Sequence, residues 1–346
     1  MGRRFVWASL ALTPVALVAR YGIHAGPTTQ FLLSAAALIP LAWLIGEATE
    51  HAAEHVGAGV GGFLNASFGN APELIIALLA VNDGLPEVVR GSITGSVVSN
   101  MLLVLGFAIV AGKGGEIDRR SLWLQLGGVG AATLLLLIPS IPGWHGSPDR
   151  HSLYLVTIGV AVVLLIAYLV LTVHNLRVHG AAEREEAKDS SWQLPTALMT
   201  LAGATLATAF VSESLVHSLD AFGHAVGLDQ FFIAAVIVAI VGNAAEHGGA
   251  IVIASKGNLR LASEIAVTSS LQVLVFVAPA VALLSWLVGR GLPLAFRPVE
   301  IGTLAAAAGV AALVVARHSV RRSAGYGLIA LYILIAVGYY LSGDRV

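Results

Sequence analysis

Long apolar segments limit this chain to a small set of folds. The 346 residues contain successive apolar runs, and about 20 such residues in a helix cross the roughly 30 Å hydrocarbon core of a bilayer. Only 11% of the residues are charged and 57% are hydrophobic, whereas a soluble domain needs more charge to cover its surface. The chain has no cysteine, which excludes disulfides and thiolate metal sites. The sequence therefore predicts an all-α integral membrane protein.

Short breaks rich in Gly, Pro and charged residues divide the chain into eleven apolar segments. We therefore expect about 11 transmembrane helices. The segments lie near residues 5–21, 29–49, 58–82, 88–111, 121–141, 152–175, 194–219, 229–255, 261–287, 300–316 and 325–342.

Basic residues set the expected orientation, because Lys and Arg concentrate on the cytoplasmic side of membrane proteins. With a cytoplasmic N-terminus and eleven alternating spans, 13 of the 19 basic residues fall on the inner side. We therefore expect an N-terminus in the cytoplasm. The excess of Arg over Lys and the compact termini favour a prokaryotic plasma membrane, with a vacuolar membrane left open. A signal peptide at Arg3 and Arg4 is the alternative interpretation of the first segment.

Two stretches of the sequence resemble each other at an offset of 173 residues. Residues 69–73 read GNAPE, and residues 242–246 read GNAAE. Such repeats are typical of transporters that bind their substrate between two halves near the bilayer midplane. Each half has five spans. Because five is an odd number of crossings, the second half starts on the opposite side of the membrane, and the two repeats are therefore inverted. The expected divisions are an N-terminal span at 1–28, repeats at 29–178 and 194–346, and a cytoplasmic linker at 179–193.

Glu73 and Glu246 are the candidate charged groups of this site, since both lie in mid-span at equivalent places of the repeat. An ionised carboxylate at that depth is unfavourable by several kcal/mol unless something compensates it. One such glutamate is as readily explained as a protonated side chain that hydrogen-bonds two helices. Two at equivalent places favour a function in ion binding.

Neutral oxygen donors accompany both carboxylates at the spacing of one helix face. Such hard oxygen ligands suit Ca2+, Mg2+, Mn2+ or Na+ better than thiophilic metals. The expected donors are Asn70, Asn243, Ser96, Ser99, Ser269 and Gln272.

Glycine and proline at the same motifs predict close helix packing or a break. Gly69 and Gly242 permit either, and Pro72 removes a backbone hydrogen bond. Ala245 stands where the first half has Pro72, so a break there depends on Gly242. Non-helical backbone is tolerated in a membrane where it lines a water-filled cavity.

Paired carboxylates also suggest how transport is coupled. A divalent cation matches two ionised carboxylates, whereas an empty low-dielectric pocket with two anions favours protonation. Cation and proton then compete for the same oxygens. The sequence therefore predicts an antiporter, not an enzyme.

The chain resembles the cation/proton exchanger branch of the Ca2+/cation antiporter superfamily, often called CAX. The resemblance rests on SFGNAPE at 67–73, VGNAAEH at 241–247, GSVVSN at 95–100 and SSLQ at 269–272, and it covers residues 5–342. It implies Ca2+/H+ exchange and a plan of one span followed by two five-helix repeats. It also implies that Glu73 and Glu246 carry the cation or the protons. Sodium/calcium exchangers of the superfamily usually carry Thr-Ser and Asp at some of these positions, so the Asn and Glu found here favour proton coupling.

The resemblance further implies that the spans carrying Glu47 and Glu213 are mobile gate helices. A helix-end charge at the membrane surface explains either glutamate equally well. His247 is a possible proton relay, because imidazole titrates near neutral pH, or a hydrogen-bonding group between helices.

Residues 51–55 read HAAEH, which fits an inverted zinc-protease pattern. His51 and His55 are four residues apart, but the sequence shows no third ligand. A polar mouth of the ion pathway is the favoured interpretation.

The expected partners are the lipid bilayer and small cations, with no nucleic acid and no cofactor. Ca2+ is the favoured substrate, while Mn2+, Mg2+ and Na+ remain compatible with the ligands. A Na+ or K+/H+ antiporter, or a Na+/Ca2+ exchanger of the same fold, is the nearest alternative. A passive cation channel is the alternative from another class, and its filter would need rings of ligands around an axis.

Overall fold

The computed structural model describes residues 3–179, 192–289, 291–317 and 319–342. Within these ranges the chain is helical, and its one β-type contact is an isolated bridge between Gly115 and Val320. Helices suit the bilayer because every backbone hydrogen bond is made within the segment. Residues 180–191, most of the expected linker, lie outside the described ranges. The helices are α1 (Arg3–Ser9), α2 (Leu12–Leu17), α3 (Pro27–Phe68), α4 (Ala71–Asn82), α5 (Pro86–Ala111), α6 (Arg119–Gly143), α7 (His151–His179), α8 (Leu194–Val226), α9 (Gln230–Gly242), α10 (Ala244–Ser255), α11 (Leu259–Val288), α12 (Pro298–Val315) and α13 (Arg322–Ser342).

Eight helical segments of the described chain are long and apolar enough to cross a membrane. The bent pair of α9 and α10, with an angle of 58° between its halves, raises this number to nine. Two further apolar helices are shorter and cover Val6–Gly22 and Ala71–Asn82. The all-helical membrane architecture is confirmed, and the exact count of 11 stays a prediction.

Helix α3 does not run straight from end to end. A methyl group at Gly61 would lie 2.6 Å from the backbone oxygen of Ala53, eight residues earlier. Residues eight apart in a straight α-helix are separated by about 12 Å. The chain therefore reverses between Ala53 and Gly61, in the region where the sequence predicts the second span to end and the third to begin.

Helix boundaries recur at the offset found in the sequence. α4 and α10 begin and end 173 residues apart, and so do the starts of α5 and α11. Both α5 and α11 contain a π-helical turn at nearly equivalent places, Ser99–Val104 and Val273–Val277. The second half turns between α8 and α9 at Gly227, whose φ is 70°, and Asp229 caps α9 by accepting from the Phe232 amide. The sequence repeat is thus also a repeat of secondary structure.

The two helices that follow the repeated motifs occupy the centre of the molecule. In α5 and α11, 83% and 61% of the most apolar window is buried, against 39% or less in α6, α7, α8, α12 and α13. Gly95 of α5 lies so close to α9 that a methyl group there would sit 2.0 Å from the Ala235 carbonyl oxygen. Small residues allow such close helix approach in a membrane. The inner helices α5 and α11 therefore frame the candidate site, and the outer helices leave most of their apolar surface exposed.

The loops before α6, α11 and α13 lie on one face of the molecule and contact one another there. Asp118 caps α6 by accepting from the Ser121 amide and forms an ion pair with Arg260. The Ser121 amide and, after it, the Arg260 guanidinium hold the pKa of Asp118 below its ordinary value. The Gly115–Val320 bridge joins the third loop to this face.

Candidate cation-binding site

Two helix breaks with matching geometry build the site. Between α3 and α4, Asn70 has φ −98° and ψ 14°; between α9 and α10, Asn243 has φ −91° and ψ 10°. Glu73 and Glu246 follow in the first turns of α4 and α10. The free amides and the dipole at a helix N-terminus favour negative charge there. The second break forms without a proline, immediately after Gly242.

Each glutamate side chain lies against the glycine of the opposite break. A methyl group at Gly242 would sit 3.3 Å from Glu73 Oε1, and one at Gly69 would sit 3.7 Å from Glu246 Oε1. The two carboxylates are also within electrostatic range of each other. The absence of side chains at the two glycines therefore leaves room for both carboxylates at the centre of the molecule.

Amide side chains connect each break to the inner helix of the other half. Asn70 Nδ2 donates to Gln272 Oε1 on α11 at 3.2 Å. Asn243 Nδ2 donates to Ser96 Oγ on α5 at 2.8 Å. Ser269 of α11 lies within hydrogen-bonding reach of the Glu246 carboxylate. Five of the neutral donors expected from the sequence thus gather beside the two glutamates.

The structural roles of Ser99 and Pro72 lie within their own helices. Ser99 is buried and donates to the Ser96 carbonyl of its own helix at 3.2 Å. Pro72 lies in the first turn of α4, where its missing amide would have no helical partner in any case. Pro72 therefore starts the second half of a broken helix and does not kink a continuous one.

Asn100 belongs to the same cluster, although sequence reasoning missed it. Its side chain is buried, and its Nδ2 donates to Asn243 Oδ1 at 3.4 Å. The offset of 173 places Val273 at the equivalent position, so the repeat gave no sign of it. The spacing of four from Ser96, which puts both side chains on one helix face, is the signal that could have found it.

The cluster contains polar atoms that the protein leaves without partners. Glu73 Oε2, Glu246 Oε2 and Asn100 Oδ1 are buried and accept no hydrogen bond from the described residues. A buried polar atom without a protein partner is costly and calls for an explanation, such as a role in binding a ligand. No group of three or more His, Asp or Glu within the described chain is placed to hold a metal. Two carboxylates with amide and hydroxyl oxygens instead match the oxygen ligands that Ca2+ takes.

His247 follows the second glutamate and is also buried. Its Nε2 has no hydrogen-bond partner among the described residues, and its amide donates to the Asn243 carbonyl at 2.9 Å. Its Nε2 atom therefore makes no hydrogen bond to another helix within the described residues. Its role as a proton relay stays a prediction.

Glu47 and Glu213 each form a contact outside the central cluster. Glu213 lies on α8 and accepts from the Tyr21 hydroxyl at 3.1 Å. Glu47 lies on α3, 3.9 Å from His51 Nε2. At the offset of 173, the counterparts of Glu47 and His51 are Asp220 and His224, which form a similar pair at 3.7 Å. Sequence reasoning missed this second acid–histidine pair.

The two histidines of the protease-like pattern make different contacts. His51 stacks on Trp192 with 4.9 Å between ring centroids, and its Nδ1 lies 3.3 Å from Glu54 Oε2. His55 Nδ1 faces the His51 carbonyl oxygen at 2.8 Å. These local contacts fit the polar helix end that the sequence favours.

Comparison with known proteins gives the chain its family. The model of the sodium/calcium exchanger protein family matches residues 27–177 and 196–341. The Ca(2+)/H(+) antiporter of Aphanothece halophytica is 32% identical over 354 residues, covering 96% of this chain and 95% of that protein. The Ca(2+)/H(+) antiporter ChaA of Bacillus subtilis is 33% identical over 356 residues, covering 99% of this chain and 100% of that protein. The solved structure of native YfkE is similar with a TM-score of 0.83 at 30% identity, covering 97% of this chain and 99% of that one. The chain belongs to the sodium/calcium exchanger protein family.

Proposed function

We propose that this protein is a secondary antiporter that exchanges Ca2+ for H+ across a membrane by alternating access. The observation that carries the proposal is the crossed pair of buried glutamates, each in the first turn after a helix break and each against the glycine of the other break. Relatives of nearly the same length that bear the name Ca(2+)/H(+) antiporter support it.

Charge balance explains the exchange. Ca2+ neutralises the ionised carboxylates of Glu73 and Glu246, and the amide oxygens of Asn70 and Asn243 add uncharged ligands. When the cation leaves, two anions remain in a low-dielectric pocket and repel each other, so protons bind in its place. Because either occupant fills the same oxygens, both cannot be carried together. A protein that moves only when the site is neutralised then exchanges one for the other.

The topology supports alternating access if eleven spans are present. The shorter helix of Val6–Gly22 supplies the first span, and the chain after the α3 reversal, together with α4, supplies the third as a broken helix like α9 and α10. Two five-span repeats, at 29–178 and 194–346, are then inverted and can exchange roles as inward-open and outward-open halves. The first span, 1–28, stands outside them.

The distribution of basic residues supports a cytoplasmic N-terminus. The face formed by the loops before α6, α11 and α13 is rich in basic residues, whereas the opposite face, which holds the loops before α5, α7 and α12, has fewer. By the positive-inside rule the first face is cytoplasmic. With four spans, an even number, before the loop that precedes α6, the N-terminus lies on that same side, and a prokaryotic plasma membrane is the proposed location. The basic residues near the first face include Lys113, Arg119, Arg120, Lys256, Arg260, Arg317, Arg321 and Arg322.

Purified protein in liposomes with a pH-sensitive dye tests the function. An imposed pH gradient should drive saturable Ca2+ flux, and added Ca2+ should release protons in liposomes without a gradient. Mn2+, Mg2+ and Na+ assayed in the same way decide which other cations the site accepts. Ca2+ flux that ignores the pH gradient and does not saturate would instead show a channel, and exchange of Ca2+ for Na+ alone would show a Na+/Ca2+ exchanger.

A further inference from the structure

An open cleft of about 350 Å³ lies between the outer helices α12 and α13, away from the central site. Its walls are apolar and include Val310 and Val314 of α12 and Leu328 of α13. Gly327 of α13 leaves the floor open, because a methyl group there would meet nothing within 4 Å. The cleft is thus an apolar groove between two spans, and its lining suits a hydrocarbon chain.

Two arginines stand at the end of this groove. Arg317 follows α12 and Arg321 precedes α13, and both side chains are exposed. Neither forms an ion pair with any carboxylate of the described residues. Arg322, the next residue, is already engaged, since its Nε donates to the Val110 carbonyl oxygen at 3.0 Å. Arg317 and Arg321 therefore present positive charge beside an apolar groove, without an ion-pair partner in the part of the chain that the structure describes.

The groove opens where lipid surrounds the protein. Only 33% of the apolar window in α12 and 22% of that in α13 is buried, and Leu313 beside the groove is 69% exposed. The arginines lie on the face with the larger number of basic residues, at the depth where phosphate groups of a bilayer lie relative to the ends of spans. Basic pockets between spans on that face match anionic headgroups in charge, and the apolar groove matches an acyl chain.

We propose that this cleft binds one anionic phospholipid of the adjoining leaflet. Its phosphate pairs with Arg317 and Arg321, and one acyl chain lies along the groove over Gly327. The site requires both a negative headgroup and an attached chain, which distinguishes it from a site for free phosphate. A second copy of this chain that met the same face would bring its own two arginines to the contact, and this like-charge repulsion disfavours it as the occupant.

Native mass spectrometry of the full-length protein tests this proposal. The protein is delipidated and then mixed with equal amounts of phosphatidylglycerol and phosphatidylcholine. We expect one phosphatidylglycerol to stay bound in preference to phosphatidylcholine. Arg317→Gln and Arg321→Gln should each weaken this binding about fivefold, because each arginine near an anionic headgroup contributes comparably. Gly327→Leu should fill the groove and abolish retention while leaving both arginines in place.

Matched control variants distinguish a loss of lipid binding from a folding defect. Arg120→Gln removes an exposed arginine of the same face, and Gly338→Leu adds the same side chain on the same helix, at another position with nothing within 4 Å. Both should retain the lipid as the unaltered protein does. Equal retention of phosphatidylcholine, or retention unchanged in all three groove variants, would overturn the proposal. Displacement of the lipid by inorganic phosphate, with the Gly327→Leu protein still binding, would show a phosphate site and would also overturn the proposal. If the groove variants lost a dimer and not a bound lipid, the groove would be a contact between copies, which would overturn it as well.

Discussion

The carboxylate of Glu73 packs against the backbone of Gly242, across the boundary between the two halves of the protein. A methyl group at Gly242 would lie 3.3 Å from Glu73 Oε1, closer than ordinary van der Waals contact. The first helix break thus supplies the charge, and the second supplies the space that holds it. Glu246 and Gly69 repeat the relationship in the other direction, at 3.7 Å.

The substitution Gly242→Ala should weaken cation binding without unfolding the protein. The added methyl group pushes on the Glu73 carboxylate, and overpacking of this kind typically costs about 1–3 kcal/mol. We expect the apparent Ca2+ affinity in a proteoliposome exchange assay to fall about tenfold, equivalent to about 1.4 kcal/mol. Gly249→Ala on α10, where a methyl group meets nothing within 4 Å, is the control. Equal affinity in the two variants would show that the contact does not shape the site.

The substitution Asn100→Val tests the residue that the repeat failed to indicate. Valine, which the second half carries at the equivalent Val273, removes the amide that donates to Asn243 Oδ1. Leaving a buried acceptor unsatisfied costs about 1–3 kcal/mol. We expect a lower melting temperature in detergent and a lower apparent affinity for Ca2+. Thr133→Val, which removes a buried hydroxyl bonded within α6, should leave the affinity unchanged. An affinity that does not move in Asn100→Val would remove Asn100 from the site.

The substitution Gly95→Ala should disrupt the packing of α5 against α9. The methyl group would lie 2.0 Å from the Ala235 carbonyl oxygen, so the two helix backbones must separate. Because this crossing lies beside the second break, we expect loss of both stability and exchange. Size-exclusion chromatography and thermal unfolding measure the first, with Gly130→Ala in the open surroundings of α6 as control. A Gly95→Ala protein as stable as the control would mean that the helices are not held at this distance.

Arg90 is buried in α5 and depends on a carboxylate from the loop before α7. Its Nη1 lies 2.7 Å from Asp149 Oδ1, and only 1% of the Arg90 side chain is exposed. Removing one partner of a buried ion pair lowers the free energy of unfolding by roughly 3–5 kcal/mol. We expect a value at the low end of this range here, because Asp149 is partly exposed to solvent. Asp149→Asn should therefore lower the melting temperature, and Glu87→Gln, at an exposed carboxylate of the same face, should not. Equal melting temperatures would show that Arg90 is compensated elsewhere, as by Glu300, which is within electrostatic range.

The sequence was sufficient where the two halves match each other. The motifs of Glu73 and Glu246 predicted a common site, and the structure brings both carboxylates together because α4 and α10 have equivalent bounds. It was insufficient where the halves differ. Asn100 has valine as its counterpart, so the repeat does not indicate it, and its contact with Asn243 places it in the cluster.

Glu47 on α3 and Glu213 on α8 illustrate a second limit. A helical period shows that Glu47 and Glu213 lie on particular faces, but it does not show which neighbour those faces meet. In the structure Glu213 meets Tyr21, from a segment that is 192 residues away in the chain. Such long-range contacts depend on how α2, α3 and α8 pack, which no local pattern encodes. The gate roles of both glutamates remain predictions for the same reason.

The most direct test of competitive loading at the two glutamates is Ca2+-dependent proton release from proteoliposomes containing Glu73→Gln or Glu246→Gln. Glutamine preserves size but carries no charge and no exchangeable carboxyl proton, so either substitution should reduce exchange to the level of empty liposomes. Glu264→Gln, on the inner helix α11 beside Arg260, should retain exchange and serves as the control. Exchange at the unaltered rate in either Glu73→Gln or Glu246→Gln would contradict the account.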